Sequence, residues 1–559
     1  MNALDLVRFA LDLPARRNAA TVDSTWVEMA DGVRLATSVF RPVGEPRVPA
    51  VLLRTPYGRG SWRTPIFLMA RLFAEAGMAA VLQDVRGRYD SEGRFTPFVN
   101  EAADGGCAID WVLEQPWCNG RLGLCGFSYL AYSAWAALER RPDRVTALAA
   151  GIGASDLWAT FYPGGAFSLE TALRWSAGVG ERENVPDRRV DLDRGLRFRP
   201  LREADRVALR ERPFYRDWLD HPRRDGYWDG FRPDVRRAPP TLLLSGWYDF
   251  FLGPQLADYA ALRASPEAAS PRLVVGPWTH GRYQRRRRSP RSRWFGHVAA
   301  REMLGFFERH LCERNGVNAD PGARILALGE EHWRDFDAWP PDGASAQRLH
   351  LRSGGRANGL GGDGRLDPEA PDGAEPPDRF TYDPADPVPS CGGALIGPGG
   401  ALDQRGVEAR SDVLVFDGPP LGRDQLLAGP VRCTLFAASS APDTDFTAKL
   451  VQVAPDGRAT NLCEGVTRSR WRQGGAEPAW LEPETPARIE IDLWSVAARV
   501  PAGHRLRLEI SSSSFPRFDR NPNTRDEIAT TAGGVPARQT VLHDAEHASS
   551  LELHVLPDA

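Results

Sequence analysis

The stretch Leu122-Gly123-Leu124-Cys125-Gly126-Phe127-Ser128-Tyr129-Leu130-Ala131 carries a short apolar run into a helix-forming segment through a serine set among small residues. That pattern predicts a nucleophile elbow, a sharp strand-to-helix corner that lifts a serine hydroxyl out of a sheet. At such a corner the backbone N–H of the next residue, Tyr129, points to where a tetrahedral oxyanion would form, so the chemistry suggested is acyl transfer. Gly-x-Ser also occurs in ordinary turns, and only partners in the right order raise it to a site.

Those partners follow. In the α/β-hydrolase layout the acid and then the histidine come after the serine, each at the C-terminal end of a strand. The run Thr241-Leu242-Leu243-Leu244-Ser245 breaks at Gly246 and leads to Asp249, whose alternative reading is a carboxylate capping the next helix. Arg272-Leu273-Val274-Val275 breaks at Gly276-Pro277 and leads to His280. The chain has ten histidines. His221 precedes a proline, His297 and His310 fall in a helical stretch, and the others lie further toward the C-terminus, which leaves His280 with the strand-end context.

Together these residues resemble the cocaine-esterase-like hydrolases related to the X-Pro dipeptidyl-peptidases. The likeness extends to Arg54-Thr55-Pro56-Tyr57, Gln83-Asp84-Val85-Arg86-Gly87-Arg88 with Ser91-Glu92-Gly93, His221-Pro222 through Tyr227-Trp228, and Trp333 through Trp339-Pro340-Pro341. It also takes in Tyr382-Asp383-Pro384, Thr444-Asp445-Phe446 and Ser512-Ser513-Ser514-Phe515-Pro516. The resemblance implies that Tyr57 supplies a hydroxyl as second oxyanion donor beside the Tyr129 N–H, the plain alternative being a packed aromatic. It further implies a C-terminal jelly-roll β domain. One departure is Ala131, where relatives usually carry glycine, so one extra methyl must fit behind the elbow.

Length and texture suggest how the chain divides. At 559 residues it is too long for one core and is expected to hold about three domains. Short apolar runs alternate with helical ones up to Gly151, the rhythm of a βαβ sheet. An Arg-, Trp- and Pro-rich stretch then intervenes before strands resume at Thr241. The expected organisation is an α/β-hydrolase core over 1–150 and 236–344, an inserted helical cap over 151–235, and a β-sandwich of jelly-roll type over 345–559. A cap at that place covers the strand ends, and Trp158, Phe161, Phe167, Trp175 and Trp218 are its candidate substrate-wall residues.

A net charge of −3 argues against an electrostatic attraction to nucleic acid or an anionic membrane. The run Arg285-Arg286-Arg287-Arg288 reads as a solvated loop that could rim the site. Lys449 is the only lysine, a sign of genome composition from which no function follows. Seven scattered cysteines without Cys-x-x-Cys spacing suggest neither zinc nor a disulfide framework. The early acid in Met1–Phe9 argues against a signal peptide, and a cytoplasmic enzyme is expected. No metal or organic cofactor is called for, and a homo-oligomer is left open.

The expected activity is cleavage of a carboxylic ester, or an amide, through an acyl-enzyme on Ser128, Asp249 and His280. Rival readings are an X-Pro dipeptidyl-peptidase and an α-amino acid ester hydrolase or β-lactam acylase. Each of these must bind a free ammonium, for which Glu170 or Asp156 could supply a carboxylate. A reading from another class is a non-catalytic binding protein built on the hydrolase scaffold.

Overall fold

A computed structural model describes residues 15–60, 64–280, 294–314, 322–474 and 477–557; the Arg285–Arg288 run and Met1–Phe9 lie outside them. Ten strands make the first sheet: β1 (Ala20–Glu28), β2 (Arg34–Pro42), β3 (Val48–Thr55), β4 (Ala79–Asp84), β5 (Cys118–Phe127), β6 (Ala147–Gly151), β7 (Thr241–Tyr248), β8 (Arg272–Thr279), β9 (Gly322–Ile325) and β10 (Arg334–Phe336), in spatial order β1-β2-β4-β3-β5-β6-β7-β8-β9-β10. The pairings from β4 through β9 are parallel, while β1, β2 and β10 are antiparallel edges. Strands β3, β4 and β7 are buried at every position, as expected where helices cover both faces of a parallel sheet.

Glycines set how closely the helices approach. A Cβ on Gly123 of β5 would lie 2.5 Å from the Phe307 ring, so the helix Phe295–Cys312 seats its aromatic side chain on bare backbone. On the other face, a Cβ on Gly105 would lie 2.4 Å from the Ala137 Cβ, which brings helix Glu101–Glu114 tight against Tyr129–Arg140.

Between β6 and β7 the chain forms a series of short helices around a core rich in aromatic rings, with Phe161 stacked on Trp218 at 4.3 Å between centroids. After β10 an eleven-stranded network runs from Ser345 to Leu556 around a separate core of Leu, Ile and Val side chains. The fold class is therefore an α/β-hydrolase core with a helical insertion and a C-terminal β region. No helix among the described residues is long and apolar enough to cross a membrane.

The seam between insertion and β region is tight. A Cβ on Gly164 would collide with the Val466 carbonyl oxygen, and one on Gly165 would strike the Trp471 ring at 2.4 Å. Both glycines have positive φ, 57° and 81°, so backbone conformation and close contact select glycine at the same two positions.

Candidate active site

Ser128 sits at φ 56° and ψ −124°, a backbone conformation that a non-glycine residue adopts only when its surroundings impose it. Two constraints do so here. Its N–H donates to the Gly151 carbonyl of β6 at 2.9 Å, while the Ala131 N–H donates back to the Ser128 carbonyl at 2.9 Å as the helix begins. A Cβ on Gly126 would lie 2.1 Å from the Leu130 carbonyl oxygen, so the corner closes only over glycine. The Ala131 methyl is accommodated by Gly153, where a Cβ would come within 2.7 Å of it.

Three distant segments converge on this corner. Ser128 Oγ and His280 Nε2 are 2.9 Å apart, and His280 Nδ1 is 2.9 Å from Asp249 Oδ2. Asp249 is fully buried, and its other oxygen accepts the Phe251 N–H at 2.8 Å, which fixes the carboxylate plane. The imidazole packs beside Phe250 at 4.4 Å and Phe251 at 5.7 Å and keeps 14% of its surface exposed. Phe250 and Phe251 continue into an apolar cluster with Ala154, Ala394, Ile396 and Trp494, so the β region reaches the surroundings of the histidine.

Tyr57 approaches from the loop after β3. The Arg54 guanidinium at the strand end donates to the buried Glu101 carboxylate at 2.8 Å, and Thr55 Oγ1 accepts the Tyr57 N–H at 3.0 Å. Arg88, wholly buried, donates Nε–H to the Pro56 carbonyl at 2.8 Å and Nη2–H to Asn184 Oδ1 at 2.6 Å. The second arginine of Arg86-Gly87-Arg88 thus ties the Tyr57 loop to the insertion. The Tyr57 hydroxyl accepts the Trp175 indole N–H at 2.9 Å. Burial pushes its phenol above the ordinary value, with the Trp175 hydrogen bond pulling the other way.

Tyr129 carries the first N–H of its helix, one of the amides that a helix leaves without an intrahelical acceptor. Its side chain points away and is pinned: the phenol donates to Glu101 Oε1 at 2.8 Å and accepts the Phe98 N–H at 3.0 Å. Burial raises the Glu101 carboxyl despite the facing Arg54 charge, and it raises the Tyr129 phenol well above its usual range.

The five wall residues expected in the insertion separate by position. Trp175 is half-buried and bonded to Tyr57. Trp158 is half-buried under the Arg224 guanidinium, 5.2 Å from the ring centroid, and borders a cleft of about 750 Å³ shared with Gly253, Val466, Trp471 and Trp494, whose lining includes neither Ser128 nor His280. Phe161, Phe167 and Trp218 are buried in the core of the insertion. Glu170 and Asp156 are both engaged. Glu170 accepts backbone N–H groups of Ile396 and Gly397, and Asp156 accepts the Ala159 N–H while pairing with Arg224. No group of three or more metal-ligating side chains with ligand geometry occurs among the described residues.

Sequence reasoning did not anticipate Trp175 as a partner of Tyr57, nor Arg88 and Glu101 as the struts behind the two tyrosines. Arg54 and Arg88 stood inside quoted motifs, but only their 0–3% exposure separates them from the many surface arginines.

Comparison with known proteins agrees with this architecture. Residues 31–282 match the model of the X-Pro dipeptidyl-peptidase (S15 family), and residues 315–552 match the X-Pro dipeptidyl-peptidase C-terminal non-catalytic domain. A cocaine esterase from Rhodococcus sp. (strain MB1 Bresler) is 36% identical over 558 residues, covering 93% of this chain and 94% of the relative. An aminopeptidase from a marine sediment Thaumarchaeota archaeon superposes with a TM-score of 0.82 at 26% identity, covering 98% of this chain and 99% of that one. An α-amino acid ester hydrolase superposes with a TM-score of 0.81 at 25% identity, covering 97% and 98%. With a relative of that identity spanning nearly the whole chain, and with both halves matched in order, the chain belongs to the cocaine esterase-like group of the S15 serine hydrolases.

Proposed function

We propose that this hydrolase cleaves carboxylic esters whose acyl group carries no charge, with Ser128 as nucleophile. In this reading His280 Nε2 takes the Ser128 proton as Oγ attacks the carbonyl carbon, and Nδ1–H donates to Asp249, which orients the ring and stabilises the imidazolium. The Tyr57 hydroxyl and the Tyr129 N–H hold the oxyanion. His280 then gives its proton to the departing alcohol. A water attacks the acyl-enzyme by the same route, releasing the acid and restoring Ser128. The observation that carries the reading is the continuous relay at 2.9 Å and 2.9 Å leading to a serine in a strained corner.

The same reading divides the chain into a core over 1–150 and 236–344, a cap over 151–235 and a β domain over 345–559. The 36% identical cocaine esterase supports an ester substrate. The aminopeptidase and α-amino acid ester hydrolase neighbours raise the alternative of an amino-acyl substrate, whose ammonium needs an available carboxylate. The two cap carboxylates considered for that task are already committed to backbone N–H groups, with Arg174 on Glu170 and Arg224 on Asp156 as well, which favours an uncharged acyl group. The test is turnover of neutral p-nitrophenyl acyl esters, amino-acyl esters and Xaa-Pro p-nitroanilides by the wild type and Ser128→Ala. Neutral esters should be turned over fastest, with all turnover lost in the variant. Full activity in Ser128→Ala rejects the site, and faster turnover of amino-acyl substrates rejects the acyl preference.

A further inference from the structure

We infer that Trp175 is a positioning residue for the Tyr57 hydroxyl, its indole N–H occupying one side of the phenol oxygen so that the single O–H hydrogen is turned away from the insertion and left free to donate. This deepens the proposed function and rests on the reading of Tyr57 as an oxyanion donor. An indole N–H can only donate, so across the 2.9 Å contact the Tyr57 oxygen must be the acceptor. A phenol has one hydrogen, and with an N–H facing it from the cap that hydrogen cannot point there. A phenol oxygen that accepts a hydrogen bond also becomes a stronger donor, because hydrogen bonds in a chain polarise one another.

The indole is held for such a task. It stacks on the Tyr129 ring with centroids 5.9 Å apart and planes within 9°, and lies over Phe98 at 6.2 Å and 16°. Trp175 therefore touches both residues assigned to the oxyanion hole. Tyr129 is itself fixed by Glu101, so the two donors share one rigid aromatic support. The helix Leu169–Gly178 that carries Trp175 is tied to the β region by Glu170, through Ile396 and Gly397. A tryptophan acting only as an apolar wall would need none of the polar geometry, and phenylalanine would replace it.

The inference is tested by a double-mutant cycle on a neutral p-nitrophenyl ester with Trp175→Phe, Tyr57→Phe and the double variant, each checked for an unchanged melting transition. Trp175→Phe should lower kcat by about three- to tenfold, the scale of one hydrogen bond, with KM nearly unchanged. In the Tyr57→Phe background the same substitution should change kcat by less than about twofold. Affinity for phenylboronic acid, which forms a tetrahedral adduct on the serine, should fall in parallel. Trp175→His is the second variant and should recover part of the lost kcat through its own ring N–H. Losses that multiply in the double variant, or a Trp175→His enzyme no faster than Trp175→Phe, overturn the positioning role. A Ser128→Ala protein that keeps its activity instead overturns the underlying site, so the two failures are distinguishable.

Discussion

Glu170, on a helix of the insertion, accepts the backbone N–H of Gly397 from the C-terminal β region at 3.0 Å, and its second oxygen accepts the Ile396 N–H at 3.1 Å. A Cβ on Gly397 would lie 2.9 Å from the carboxylate, so the contact depends on bare backbone. Glu170→Gln places an amide NH2 against one of these donors and should destabilise the protein by about 1–3 kcal/mol, read as a fall in the calorimetric melting temperature. If the variant melts like the wild type and instead loses turnover of amino-acyl esters alone, Glu170 is a substrate ligand and not a clamp.

In the proposed mechanism Tyr57→Phe removes one oxyanion donor, and kcat should fall by about a hundredfold or more while the fold stays intact. Because burial holds the Tyr57 phenol above its ordinary value, the hydroxyl stays protonated through the neutral and mildly alkaline range and should impose no alkaline loss of activity there. A kcat profile measured across that range settles the point: an alkaline limb below about pH 9 that vanishes in Tyr57→Phe contradicts the assignment.

The elbow gives a packing test. A methyl added at Gly153 would meet both the Ala131 Cβ and the Ser128 carbonyl oxygen at 2.7 Å. Gly153→Ala should therefore lower both stability and kcat, the former by about 1–3 kcal/mol through overpacking. Adding Ala131→Gly relieves the methyl contact but not the carbonyl contact, so part of each loss should return. Equal losses in the single and double variants would show that the two positions do not share space.

Ser128, Asp249 and His280 are readable in the sequence because each ends a short apolar run at a glycine-marked strand end, a local signal that survives without knowledge of contacts. The link from Trp175 to Tyr57 has no such signal, since 118 residues separate the two side chains. Trp175 and Trp218 sit in similar aromatic surroundings, yet one is half-buried against the site and the other is fully enclosed. That difference is decided by how the short helices of the insertion pack. Glu170 illustrates the same limit. An acid in an insertion reads as a ligand for an ammonium until the loop at 396–397, more than two hundred residues away, adds its N–H groups to the neighbouring Arg174 as partners.

His543 in the β region joins two acidic side chains in a buried cluster. Its Nδ1 is 2.9 Å from Glu375 Oε2, and its Nε2 is 3.1 Å from Asp378 Oδ2 and 3.0 Å from Ser353 Oγ. Burial alone would push the imidazole down, but the hydrogen bonds and charges of Asp378 and Glu375 outweigh it and raise the group above its ordinary value. A histidine raised in the folded state stabilises fully below the unfolded value of about 6.5 and loses that contribution as the pH climbs through the folded value. Other buried groups titrate nearby, Asp258 pushed up to about 6 and Glu408 to about 7, so the effect of His543 is isolated by comparison with His543→Gln. The gap in melting temperature between the two proteins should be widest near pH 6 and should narrow toward pH 9. A gap that stays constant across that range would mean that the imidazole is held neutral and that the cluster owes its stability to packing.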